Sequence, residues 1–185
     1  MSSFSTRGRL LTGVFSLAAV GAVTAGVAAA QVPNAAEAKH DERPAAAVQS
    51  VKTLGVDAAS KAAQAALDAA EKEGQKVTVV VVARDGSTRV VLKGDGAGPQ
   101  SEESARRKAF TAVSWNAPTS VLSQRVTAPG ASLRDIPGTL FLGGGVPVAV
   151  DGAPIVGIGV AGAPAGDLDE KYAAEGLKAI AGSLK

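Results

Sequence analysis

The sequence predicts an α+β protein: an α/β sandwich with a five-stranded antiparallel sheet flanked by helices, in the order α-ββ-α-α-ββ-α. Three observations carry this prediction. Two apolar runs each fold back at an Asp-Gly pair, Asp85-Gly86 and Asp151-Gly152, the dipeptide that suits tight hairpins. Alanine-rich stretches with helical spacing lie before, between and after those hairpins. From residue 51 onward the large aromatics are just Phe110, Trp115, Phe141 and Tyr172. A core of Val, Ile, Leu and Ala favours helices packed close on a sheet.

The first helix is expected over Val56 to Glu73, with Asp57 near its start and Gly74 at its end. The β-branched run from Val77 to Ala83 reads as a strand, Asp85-Gly86 as its turn, and Thr88 to Leu92 as its partner. Ser101 is the expected cap of a second helix, SEESARRKAFTAVSW, whose apolar side holds Ala105, Ala109, Ala112 and Val113. Pro118 breaks that helix, and Thr119 offers a cap for a short third one. A loop follows from Thr127 to Thr139, and Leu140 with Phe141 is the candidate fifth strand. The second hairpin is VPVAV, Asp151-Gly152, then APIVGIGVAGA. Asp167 is the expected cap of the last helix, with Leu168, Tyr172, Leu177, Ile180 and Leu184 as its apolar stripe.

The first thirty residues read differently. Arg7 and Arg9 precede an uncharged run from Leu10 to Ala30 that ends in three alanines, the order of a secretory signal. A retained membrane anchor is the rival reading, since the run is about long enough to span a bilayer. Residues 31–50 mix Pro, Ala and charges and read as a flexible tail, leaving 51–185 as one domain. Of 19 basic and 17 acidic residues, removal of Arg7 and Arg9 leaves 17 of each. A neutral mature chain argues against nucleic acid as a partner. The chain has no cysteine, which excludes disulfide and thiolate chemistry.

The segment from Leu140 to Ala163 holds seven glycines, and Gly143-Gly144-Gly145 suggests a phosphate loop. No Lys-Ser/Thr pair follows, however, and the next residues, Val146-Pro147-Val148, are extended. The spacing Gly157, Gly159, Gly162 matches a dinucleotide fingerprint but sits at the end of a hairpin strand. Glycines that let backbone or a flat ligand approach closely are the better account. Catalysis is poorly provided for: His40 is the sole histidine and lies in the tail, so neither a nucleophilic dyad nor a zinc site is at hand. The carboxylates at Glu102-Glu103 and at Asp167, Asp169 and Glu170 fall in first helical turns, where the helix dipole favours them anyway. Glu102 with Arg106, and Glu103 with Arg107, form i,i+4 pairs: either a solvated ion-pair face or a surface site for ferric iron.

The succession KVTVVVVARDGSTRVVLKGDGAGPQSEESARRKAFTA, then LRDIPGTLFLGGGVPVAVDGAPIVGIGVAGAPAGDLDEKYA, resembles the GlcG/HbpS family, most closely its secreted haem-binding branch. The resemblance covers about Val51 to Lys185. It implies an oligomeric extracellular protein that binds haem and iron and serves a membrane sensor kinase in redox sensing. It also implies a haem contact where the glycine segment begins, with Thr139 giving oxygen to the iron and Phe141 packing on the ring. Arg134 and Lys108 are candidates for the propionates, and Glu102, Glu103, Arg106 and Arg107 for surface iron. The domain contains no His, Cys or Met, so a strong axial ligand would have to be Tyr172, a lysine, or His40 from the tail. Tyr172 falls on the last helix's apolar stripe and reads as core. Haem binding is therefore expected to be weak and exchangeable. The alternatives are a structural oligomer without ligand and an accessory enzyme of small-molecule metabolism.

Overall fold

The structure is a computed structural model that describes residues 48, 50–126 and 133–184. His40, the stretch expected to be a secretory signal, most of the expected tail and part of the loop after α3 lie outside the described residues. The elements are α1 (Val56–Lys72), β1 (Thr78–Ala83), β2 (Thr88–Lys93), α2 (Ser101–Trp115), α3 (Thr119–Arg125), a 3-10 turn (Leu133–Asp135), β3 (Gly145–Val150), β4 (Ala153–Ala161) and α4 (Gly166–Ile180). Their order is the predicted one. The strands form one antiparallel sheet in the order β2-β1-β4-β3.

The sheet has four strands among the described residues, not the five expected. Leu140 and Phe141 precede β3 without joining it. The Leu140 N–H, which a strand would spend on its neighbour, goes instead to the Thr111 hydroxyl of α2 at 2.8 Å. The Phe141 ring packs on Trp115, their centroids 5.6 Å apart.

Both Asp-Gly pairs do turn hairpins. Asp151 and Gly152 both have positive φ, 52° and 76°, as the tight mirror-image turn demands. At the other hairpin the Asp85 carboxylate accepts from the N–H and hydroxyl of Ser87 at 2.9 and 2.6 Å.

Neither Asp57, near the start of α1, nor the expected caps Ser101, Thr119 and Asp167 cap their helices. The helices start after Gly55, Gln100, Pro118 and Ala165, without a capping side-chain hydrogen bond. Ser101 and Thr119 lie inside their helices and turn their hydroxyls to other elements. Ser101 shares a 2.7 Å hydrogen bond with Thr78 of β1, and Thr119 accepts from the Gly145 N–H at 2.8 Å.

The period-two alternation of the strands divides the core between the two faces of the sheet. Val79 and Val81 of β1, with Val156, Ile158 and Val160 of β4, pack against α1 and α4. Their neighbours Val80, Val82 and Ala161 meet Ala105 and Ala109 of α2 on the other face. On that second face β4 carries Gly157 and Gly159, and Gly145 of β3 pairs with Gly159. A Cβ at Gly157 or Gly159 would lie 2.1 or 2.0 Å from the carbonyl oxygens of Ala109 and Ala105. At Gly145 it would lie 2.4 Å from the carbonyl oxygen of Lys108. These glycines are a floor on which the α2 backbone rests.

Gly159→Ala forces a methyl group into the α2 backbone and should lower stability by at least about 2 kcal/mol. Gly182→Ala has nothing within 4 Å of the new atom and should change stability by less than about 0.5 kcal/mol. Urea unfolding of the two variants checks this; equal midpoints would mean that α2 does not rest on Gly159.

Candidate functional site

The site is built where the chain climbs from the 3-10 turn to β3. Thr111 fastens this climb to α2, donating to the Arg107 carbonyl at 2.7 Å while accepting from Leu140. Thr139 donates its hydroxyl to the Ile136 carbonyl at 2.8 Å, and its oxygen accepts no hydrogen bond among the described residues. Gly144, at φ 128°, ends the climb and accepts from the Val160 N–H at 2.8 Å.

The opposite wall comes from α3, held by Glu170 of α4. The Glu170 carboxylate accepts from the N–H groups of Ser120 and Gly144 at 3.0 and 3.2 Å and from the Ser120 hydroxyl. A capping carboxylate that α3 lacks in its own sequence thus arrives from another helix.

Between these walls lies an open cavity of about 670 Å³, lined by Val126, Arg134, Thr139, Leu140, Phe141 and Leu142 among others. The structure brings Thr139, Phe141 and Arg134 together on it. Arg134 is exposed and makes no ion pair among the described residues. A second cavity of about 510 Å³ shares Ser123, Leu140 and Leu142 with the first.

Lys108 and Asp169 line that second cavity as an ion pair 2.7 Å apart, their side chains only 5 and 4% exposed. Lys108 also donates to the Val160 carbonyl at 3.1 Å. Burial pushes the Asp169 carboxyl above its usual range, and Lys108 and the Ala163 N–H draw it back down. Lys108 is thus already engaged inside the fold and does not stand free for a propionate. Sequence reasoning missed this pair, although a signal was present. Lys108 sits at helical spacing within the Ala105–Ala112 stripe, as Asp169 does with Tyr172 and Ala173.

The acidic-arginine face of α2 forms one of its two predicted pairs, Glu103 with Arg107, while Arg106 turns to Glu103 instead of Glu102. Glu103 holds both Arg106 and Arg107, at 2.7 and 2.6 Å, and Glu102 makes no ion pair among the described residues. The two guanidinium groups hold the Glu103 carboxyl down at about 2. No group of three or more His, Asp or Glu among the described residues could hold a metal ion.

Tyr172 is fully buried and donates its hydroxyl to Glu73 at 2.8 Å. Lys171 binds the other oxygen of that carboxylate. The phenol is core, as its stripe position indicated, and does not face either cavity.

These features define an α+β sandwich with an open cavity at one end of a helix-sheet layer. The chain matches the family described as "Haem degrading protein HbpS-like" over residues 54–178, and it belongs to that family. It is similar to the solved HbpS of Streptomyces reticuli, a double Glu-to-Asp mutant, at 60% identity over 72% of this chain and 91% of that one, with a TM-score of 0.70. The ORFY protein of Klebsiella pneumoniae is 28% identical over 73% of this chain and 95% of its own, TM-score 0.67. A haem complex of PduOC is 29% identical over 70% and 96%, TM-score 0.63. No curated protein is similar enough to count as a match.

The phenol of Tyr172 is pushed up to about 12, first by burial and then by its bond to Glu73. It is the sole tyrosine of the chain, so tyrosinate absorbance should rise with a midpoint near 12. Glu73→Gln should move that midpoint down toward the ordinary 10 without reaching it. Because the folded value is raised, the stability this group contributes is complete below pH 10 and lost as pH climbs through about 12. A midpoint at 10 in the native protein would place Tyr172 in water.

Proposed function

We propose that this chain is a secreted haem-binding protein that takes haem in the larger cavity. In this reading it acts as an iron-responsive accessory in redox sensing, with a membrane sensor kinase as partner. The observation that carries the reading is the convergence of Thr139, Phe141 and Arg134 on one cavity. Its volume, about 670 Å³, lies within the range of cofactor pockets. Leu140, Phe141, Leu142 and Val126 offer apolar surface to a flat ring, and Arg134 offers a guanidinium to a propionate. In this reading the Thr139 oxygen, which accepts no hydrogen bond among the described residues, would be the group that meets the iron. The relatives support the ligand: the family is described by haem, and PduOC is solved with haem bound.

Haem would supply the redox chemistry; this chain's residues would hold and shield it. A hydroxyl oxygen is a weak ligand beside His, Cys or Met, so loading should be exchangeable. His40 is the one histidine that could add a stronger bond. With no cysteine and no histidine in the domain, the protein reads as a binder and not as an enzyme. Export rests on the Arg7-Arg9 segment and its apolar run. Ferric iron is assigned to the Glu102, Glu103, Arg106 and Arg107 face, where an ion would compete with both arginines for Glu103. Assembly into a homo-oligomer is assigned by family likeness, and light scattering of the purified protein tests it.

The test is a titration of hemin into the chain from Gln31 onward, followed in the Soret region and by fluorescence. Trp115 is the sole tryptophan and touches Phe141, so bound haem should quench it saturably. Thr139→Ala should shift the Soret band, and Arg134→Ala should weaken binding about two- to fivefold. His40→Ala should alter the band only where the tail supplies a ligand. The absence of any saturable change would end the haem reading.

A further inference from the structure

We infer that Glu170 is the positioning residue of the larger cavity: its carboxylate sets the spacing of the two walls, and so how firmly a flat ligand is held between them. Glu170 lines neither cavity. It stands behind the lining, half-buried, near the start of α4. Its carboxylate makes no ion pair among the described residues, so its charge is committed to neutral donors.

Those donors come from both walls. Ser120 of α3 gives its N–H to Oε2 at 3.0 Å and its hydroxyl to Oε1. Gly144, at the end of the climb, gives its N–H to the same Oε2 at 3.2 Å. A second link runs through Thr119, whose hydroxyl donates to Oε2 at 3.4 Å and accepts from the Gly145 N–H at 2.8 Å. One carboxylate thus joins α3 to the climb directly and again through a hydroxyl.

The walls run outward from these anchors. Ser123, about one helical turn beyond Ser120, lines the cavity with Val126 from α3. Phe141 and Leu142, just before the glycines, line it from the climb. A cap for α3 would need Ser120 alone. The bonds to Gly144 and, through Thr119, to Gly145 are what make the carboxylate a clasp between walls. An amide could replace it, its oxygen accepting where Oε2 does and its NH2 donating to a reversed Ser120 hydroxyl. A methyl group could not. The bearing on haem rests on the haem reading above; the spacing of the walls does not.

The experiment compares Glu170→Ala, Glu170→Gln and Ile180→Val with the unchanged full chain. Each is read by backbone amide NMR without haem, and by the rate at which excess apomyoglobin strips bound haem. Ile180→Val thins the core at the other end of α4 and controls for lost stability alone. Glu170→Ala should move the amides of Ser123 and Val126 on one wall and of Leu140 to Leu142 on the other. It should also speed haem loss about tenfold. Glu170→Gln should leave those amides in place and keep haem loss within about twofold of the unchanged chain. Ile180→Val should do likewise. Amides that stay put on either wall in Glu170→Ala, or haem loss sped as much by Ile180→Val, overturn the inference. Where Glu170→Ala does not fold, Glu170→Asp decides: it keeps the charge but is one methylene short, so it must release one wall or draw the two together. Unmoved wall amides in that variant overturn the inference too. If the unchanged chain takes no haem, the haem reading falls, and the amide comparison still decides the role of Glu170.

Discussion

The closeness of α2 to the sheet is the constraint on which the rest of the structure depends. Three carbonyl oxygens of one helix face, at Ala105, Lys108 and Ala109, stand where Cβ atoms would be on Gly159, Gly145 and Gly157. A helix separated from a sheet by ordinary side chains could not come so near. The approach brings Lys108 within 2.7 Å of Asp169, a residue of the layer behind the sheet's end. It also brings Thr111 within reach of Leu140. Both cavities are edged by what this helix holds in place.

Polar groups in the interior then do the positioning that regular pairing does elsewhere. The climb to β3 has no strand partner, yet Thr111, Thr119 and Glu170 together receive the N–H groups of Leu140, Gly145 and Gly144. Backbone donors left without partners in such a place would cost more than the bonds gain. The Lys108–Asp169 pair follows the same logic with higher stakes. Its removal as a pair could be tolerated, whereas losing one member strands a buried charge at a cost of about 3–5 kcal/mol.

Much of the fold was legible in the sequence because its signals are local. The two Asp-Gly turns and the alanine stripes speak through a few adjacent residues, and the order of elements followed from them. The fifth strand failed because Leu140 and Phe141 look like strand residues, while a hydroxyl 29 positions away takes the N–H that a ladder needs. The caps failed for a related reason. Ser101 and Thr119 have the right chemistry at the right places, but Thr78 and Gly145 compete successfully for their hydroxyls. At the site, Thr139, Phe141 and Arg134 were named through the family's pattern, and their meeting on one cavity required the fold. Asp169 and Glu170 were read as ordinary first-turn acids, because their partners Lys108 and Ser120 are 61 and 50 residues distant.

The central strand has a consequence for how this protein could fail. Val79 to Val82 form a run of four valines without charge or proline, wholly buried, a composition suited to stacked, dry fibrils. In the native sheet it is flanked on both sides, by β2 and β4. β4 is itself covered by β3, so among the described strands β2 is the edge strand that lies beside this run. β2 carries Arg89 and Lys93 and pairs through a bulge near Val82, features that discourage edge-to-edge association. Peeling of one short charged strand is thus the event that would turn the folded chain into a template for its own aggregation. Long-term storage should depend on β2 more than on any residue of the cavities.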